Sequence, residues 1–206
     1  MATISAESFE SVRYVFLDRD GVVNRKPAED QTIFRWSDFD VLPGVEASIR
    51  LLNECGYKAI IVTNQRGIAL GRYTAEDLTQ LHQHLQEHLA SFGAHLDAIY
   101  YCPHDRNQCD CRKPEAGMIH AAFRDFPEAT VHNSVIIGDS ISDIELGVRL
   151  GMKTIFVQGD PRFQKPGAER AAANATLVVT SLHQAVFDVL AGSRSCTGEN
   201  ISGSIR

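Results

Sequence analysis

The sequence predicts an α/β fold: a mainly parallel sheet with helices on both faces. Short apolar runs alternate with longer amphipathic segments, and strands separated by helices read as parallel crossovers rather than hairpins. Polar clusters close three of the runs, D-R-D-G after the first, T-N-Q after the second and G-D-S after a later one. Parallel sheets collect their chemistry outside the carboxyl ends of the strands, so patterning and polarity agree.

Val12 to Leu17, branched and aromatic, is the first strand. Val45 to Cys55 follows Pro43 and Gly44 with apolar residues at helical spacing and stops at Gly56. Tyr57 to Val62 is the second strand, and a long helix runs from about Thr74, where T-A-E-D resembles a capping box, to Phe92. Leu96 to Tyr101 is the third strand, followed by a loop rich in Cys and Pro. Then come a helix over Gly117 to Phe126, a strand over Ser134 to Ile137 and a helix over Ser142 to Leu150. Lys153 to Val157 and Ala175 to Val179 are further strands, and a last helix lies near Leu182 to Leu190. Residues 1–190 read as a single domain. The Ser/Gly-rich segment 191–206 lacks apolar periodicity and reads as a disordered tail.

The chain's 206 residues suffice for one substantial core and are few for two domains. A net charge of -6 with no concentrated basic face argues against a nucleic-acid partner. A small anion remains compatible, since a few placed cations and a metal outweigh the global charge locally. No apolar run approaches the ~20 residues of a membrane helix. MATISAESFESVRYVF lacks the basic start and apolar core of a secretory signal. The expectation is a cytoplasmic protein without a membrane partner, monomeric by default. Its five cysteines are then metal ligands or buried thiols rather than disulfides.

Asp18 and Asp20 stand two apart where the first strand ends, and Gly21 lets the chain turn sharply there. Carboxylates this close resist joint ionisation unless a cation sits between them or one keeps a proton. Both outcomes suit phosphoryl transfer, with one Asp attacking phosphorus and the other moving protons. A polar turn capping the strand is the other reading of D-x-D. Asp139 at a strand tip and Asp143 one helical turn later offer oxygen ligands to magnesium. Helix capping by Asp139 or Ser140 is the simpler reading of that cluster. It leaves a second acidic cluster at another strand end unexplained. Thr63 adds a hydroxyl and Lys113 a point positive charge, and phosphoryl transfer is mostly positioning and charge neutralisation.

Cys102, His104, Cys109 and Cys111 form C-x-H followed by C-x-C within ten residues. Three thiolates and an imidazole make a complete tetrahedral zinc shell, which is a structural site. A C-x-C redox pair and unpaired thiols are the alternatives. Cys55 reads as a core residue and Cys196 as a tail residue without role. His82, His84 and His88 decorate the long helix and are assigned no function.

Taken together and in order, D-R-D-G, V-T-N, Lys113 and G-D-S-x-x-D resemble the haloacid dehalogenase superfamily of phosphohydrolases. The fuller spellings D-R-D-G-V-V-N, V-T-N-Q-R-G-I-A-L-G and C-P-H-x4-C-D-C-R-K-P are similar to one branch of it. That branch holds the D-glycero-D-manno-heptose 1,7-bisphosphate 7-phosphatases and the histidinol-phosphatases, and G-I-A-L-G leans toward the former. The resemblance implies a Rossmann-like three-layer fold without a large cap domain. It implies Asp18 as nucleophile, Asp20 as general acid and base, and Thr63 with Lys113 on the phosphate. Magnesium would be held by Asp18, the Asp20 carbonyl and Asp139, with Asp143 a ligand through water or an orienting acid. Substrate selectivity would fall to Arg19, Asn64, Gln65, Arg66 and Arg112. The leading expectation is therefore a magnesium-dependent phosphatase acting on a small sugar phosphate, most simply the 7-phosphate of the heptose bisphosphate. Histidinol phosphate is the alternative substrate, and a zinc-stabilised, non-catalytic phosphate-binding module is the reading from a different class.

Overall fold

The computed structural model describes residues 9–27, 31–160, 162, 164 and 166–192. Its six strands are β1 (Tyr14–Leu17), β2 (Lys58–Asn64), β3 (Ala98–Cys102), β4 (Ser134–Gly138), β5 (Lys153–Val157) and β6 (Leu177–Val179). They form one sheet in the order β3-β2-β1-β4-β5-β6, and every neighbouring pair is parallel. Leu17 stands level with Ile61 of β2 and Ile137 of β4. The chain order reverses between β1 and β4, so the crevice of a doubly wound sheet opens at their carboxyl ends.

Strict alternation sends the strand side chains into two cores. Val15, Leu17, Ala59, Ile61, Val135 and Ile137 meet helices α1 (Val45–Glu54) and α2 (Ala75–Ser91) on one face. Tyr14, Phe16, Ile60, Val62 and Ile136 meet α3 (Gly117–Asp125) and α4 (Ile141–Leu150) on the other. Because both faces are covered, all four β1 residues are buried, which is why that run reads as continuous apolar sequence. Thr74 caps α2 as expected: its Oγ1 accepts from the Asp77 amide at 3.1 Å, while Asp77 accepts from the Thr74 amide at 2.8 Å.

Two elements depart from the expectation. A short helix, α5 (Ala168–Asn174), lies between β5 and β6. Its A-E-R-A-A-A-N sequence has high helix propensity, but the stripe it packs against Ile144 and Phe156 is alanine alone, a weak apolar signal. The final helix starts as α6 (Leu182–Gln184) and continues in π-helical form over Ala185–Leu190. Cys55 packs half-buried against the first core and is disulfide-bonded, not the thiol expected there. His82 is buried against Tyr101. Burial drives its imidazole down to about 3, so it is neutral. The expected tail lies, after Gly192, outside the described residues, as does Cys196. Among the described residues no helix is long and apolar enough to cross a membrane.

The sheet carries α4 at close range through Gly147, where a Cβ would come within 2.3 Å of Thr154 Cγ2 and 2.6 Å of Ile136 Cγ2. Alanine is the better helix former, but overpacking costs more than propensity returns. Gly147→Ala should therefore destabilise the protein by about 1–3 kcal/mol in urea titration with an unchanged slope. A stabilised variant would show that the helix does not approach so closely.

Candidate active site

Asp18 immediately follows β1, its amide donating to the Ile137 carbonyl of β4 at 2.9 Å, so the strand ladder itself sets its position. The chain then turns: the Arg19 carbonyl accepts from the Val23 amide at 2.8 Å and the Asn24 amide at 3.1 Å. Gly21 occupies this turn at φ +99°. A Cβ there would lie 2.1 Å from Asp139 Oδ2, so glycine is required by conformation and by space. Gly138, at the end of β4, is similarly pressed against the Asp143 carboxylate, 2.3 Å from where its Cβ would be.

These contacts bring Asp18, Asp139 and Asp143 together, all buried or nearly so, with ligand atoms within 4.8 Å of one another. Lys113 enters from the loop before α3. Its Nζ lies 2.9 Å from Asp18 Oδ1 and 2.6 Å from Asp143 Oδ1, and it donates to the Val62 carbonyl at 2.7 Å. Burial alone would discharge the ammonium, but Asp143 and Asp18 reverse that and hold its proton affinity above the ordinary lysine value. Burial also pushes the Asp18 carboxyl up to about 6, with Asp143 and Asp139 adding to the rise and Lys113 opposing it. The other oxygen of Asp143 accepts from the Ser140 amide at 3.1 Å and hydroxyl at 2.6 Å. Both of its oxygens are thus engaged by neighbouring side chains and main chain.

Asp20 has different company. Its carboxylate accepts from Arg19 Nη2 at 2.8 and 3.0 Å, from Asn24 Nδ2 at 3.0 Å and from Gln65 Nε2 at 3.2 Å. Burial would raise this carboxyl, but the Arg19 guanidinium and the hydrogen bonds outweigh it and hold the carboxyl below the ordinary value. Gln65 Nε2 also donates to Thr63 Oγ1 at 2.9 Å, and Tyr73 donates to Gln65 Oε1 at 2.6 Å, fixing the amide orientation. Two residues expected as substrate contacts are engaged by Asp20 in this structure. Arg19 is 1% exposed and Gln65 4%, and both hold Asp20 in place. Asn64 clamps the Lys113 main chain, accepting from its amide at 3.0 Å and donating to its carbonyl at 3.1 Å. Arg66 is paired with Asp105 at 2.5 Å.

A polar cavity of about 560 Å³ opens over Asp18, Asp20, Thr63 and Lys113, with Arg112 and Arg106 on its wall. Arg106 was missed in the sequence because nothing in a loop of polar residues marks one cation above another. Lys26 was missed as well, since it belongs to no motif, yet its ammonium is ion-paired with Asp139.

The cysteine loop brings four donor atoms within 4.8 Å of one another. Cys102 Sγ and Cys109 Sγ are 3.5 Å apart, Cys109 and Cys111 3.3 Å, and His104 Nδ1 lies 3.3 Å from Cys111 and 3.7 Å from Cys102. A disulfide would need about 2.05 Å, whereas zinc bond lengths give tetrahedral edges of about 3.5–3.8 Å. The donors fit zinc. Gly117 packs its Cα against this loop, its amide donating to the Asp110 carbonyl at 2.8 Å. Lys113, two residues after Cys111, is joined to Pro114 by a cis peptide bond.

Fold and site together define an α/β enzyme of phosphoryl transfer. Residues 110–185 match the HAD-hydrolase-like family model. A Vibrio cholerae protein named D-glycero-beta-D-manno-heptose-1,7-bisphosphate 7-phosphatase is 37% identical over 82% of this chain and 91% of its own. A Mycobacterium bovis protein named as the alpha-heptose 7-phosphatase is 41% identical over 64% of this chain and 70% of its own. The crystal structure of D,D-heptose 1,7-bisphosphate phosphatase from B. bronchiseptica, complexed with magnesium and phosphate, superposes with a TM-score of 0.77 at 27% identity. It covers 88% of this chain and 99% of that one. The chain belongs to the haloacid dehalogenase-like hydrolases, and it is a phosphatase, a phosphoric monoester hydrolase.

Two outcomes follow from this geometry. The folded chain binds the Asp18 proton more tightly than the unfolded chain does. That contribution to stability is therefore present below about pH 4 and lost as pH rises past about 6. In metal-free protein, Asp18→Asn should raise stability near pH 7.5 by on the order of 1–3 kcal/mol, the gain vanishing toward pH 4. Melting curves at both pH values check it, and a loss of stability near neutrality contradicts it. Separately, Cys109→Ser should release zinc, seen by elemental analysis, and lower the melting temperature. Wild-type protein purified without zinc would remove the premise.

Proposed function

We propose that the chain hydrolyses the 7-phosphate of D-glycero-D-manno-heptose 1,7-bisphosphate through an aspartyl phosphate on Asp18. The observation that carries the reading is the buried Lys113 bridge to Asp18 and Asp143 beside Asp139, with Asp20 held apart in its own hydrogen-bonded setting. The relatives named above supply the substrate.

Asp18 and Asp139, with the Asp20 carbonyl, would hold magnesium, which when bound supplies charge neutralisation at the phosphate and lowers the Asp18 proton affinity. Three clustered carboxylates are a donor set of the right chemistry for that hard cation. An Asp18 carboxylate oxygen attacks phosphorus, and the P–O bond to the sugar breaks. The leaving sugar oxygen takes a proton from Asp20, whose proton affinity the incoming phosphate charge raises. Asp20 then removes a proton from water, which attacks the aspartyl phosphate and releases inorganic phosphate from Asp18. Thr63 Oγ1 already accepts from Gln65, so its own proton is directed to a phosphate oxygen. Lys113 balances the charge that builds on phosphorus. Arg112 and Arg106, on the wall of the same cavity, suit the second phosphate of the substrate. A zinc ion on Cys102, His104, Cys109 and Cys111 would fix the loop that carries Arg112 and Lys113.

Purified protein with magnesium should prefer either anomer of the heptose bisphosphate over histidinol phosphate and hexose phosphates by several orders of magnitude in kcat/KM. A preference for histidinol phosphate would overturn the substrate and keep the mechanism. Asp18→Asn should lower turnover by at least about 10³-fold, and near-normal turnover would reject the nucleophile. Asp20→Asn should slow an alkyl phosphate about 10²–10⁴-fold while slowing an aryl phosphate less in its first half-reaction, because a good leaving group needs no proton. Equal losses in single-turnover bursts would count against the acid role.

A further inference from the structure

The Lys26 ammonium is ion-paired with Asp139 Oδ2, with the two side chains only 8% and 10% exposed. This is the oxygen that lies against Gly21 in the turn after β1. It therefore faces the Asp18–Asp20 loop that the reading above makes the other side of the magnesium site. The buried charges can be assigned. Arg19 is set on Asp20, Lys113 on Asp18 and Asp143, and Lys26 on Asp139.

We propose that Lys26 is a resident counter-cation for Asp139 that magnesium must push aside, so that Lys26 sets the metal affinity of the site. Magnesium takes oxygen ligands at about 2.0–2.1 Å in strict octahedral geometry. An ammonium hydrogen-bonded to the same carboxylate oxygen would stand within a few ångströms of the ion, and two such cations repel strongly where little water screens them. Lys26 has somewhere to go. Lys26 and Asp139 both line a cavity of about 370 Å³ with apolar walls at Val22, Leu42, Val157 and Leu182. Its aliphatic stem can lie against those walls with the charge turned outward, as long lysine stems do. Before the metal arrives, the same ammonium offsets part of the repulsion among Asp18, Asp139 and Asp143.

The inference rests on Asp139 being a magnesium ligand, and the experiment separates the two. Magnesium binding is measured by titration calorimetry on wild type, Lys26→Met, Lys26→Arg and Asp139→Asn, with melting temperatures taken in EDTA and in saturating magnesium. Lys26→Met, which keeps the stem and removes the charge, should bind magnesium at least about tenfold more tightly. Its melting temperature in EDTA should fall, and its rise on adding magnesium should exceed that of wild type. Lys26→Arg should stay within about threefold of wild type, since the charge is kept. Magnesium affinity in Lys26→Met that is unchanged or weaker overturns the inference while leaving the active-site reading intact. Binding that survives Asp139→Asn overturns both.

Discussion

The site depends on one buried ammonium. Lys113 Nζ touches a carboxylate following β1, a carboxylate in α4 and the Val62 carbonyl of β2. It therefore ties together three elements whose ends form the crevice. Removing the ammonium would leave two buried carboxylates uncompensated, which costs more than the bridge itself contributes. Together with Lys26 on Asp139, the ammonium offsets the repulsion among Asp18, Asp139 and Asp143. The arrangement is a poor way to gain stability and a good way to hold charge ready for a phosphate.

Delivering that ammonium is the task of the loop between β3 and α3. The loop has few apolar side chains of its own. Its shape comes from the Cys102, His104, Cys109 and Cys111 donor set, from Gly117 against Asp110, and from Asn64 gripping the Lys113 main chain at 3.0 and 3.1 Å. An error of one ångström in that loop would move Lys113 relative to Asp18, and catalytic groups misplaced by that much lose large factors in rate. A metal on those four donors would be structural in the sense that it positions a residue it does not touch.

Much of this was legible in the sequence because it is local. The strands, the Thr74 capping box and the cysteine cluster are set by spacing, and the strand-end acids follow from where the apolar runs stop. What escaped was contact between distant segments. Nothing in R-K-P-A announces that Lys26 reaches Asp139, more than a hundred residues away. Arg19 and Gln65 look like substrate contacts because they sit in motifs, and only packing shows that Asp20 occupies them. The helix over Ala168–Asn174 escaped for a different reason, since its buried stripe is built of alanine and stands out little from its surroundings.

The two motif aspartates, two residues apart, are driven in opposite directions by their surroundings. Asp18 loses water and faces two other carboxylates, so its proton is held up to about 6. Asp20 is gripped by a guanidinium and two amides, so its carboxylate is favoured. Neighbouring acids with separated proton affinities are how a site assigns different roles to the same side chain. Under the proposed mechanism Asp18 must be ionised to attack, yet burial raises its proton affinity. A cation beside Asp18 resolves that conflict, and the same cation is what a phosphate needs for its approach to a cluster of acids. Asp20 needs no such help to lose a proton, and the charge of an arriving phosphate would let it hold one. Under that mechanism substrate and cation together would bring both carboxyls to the protonation states the reaction requires.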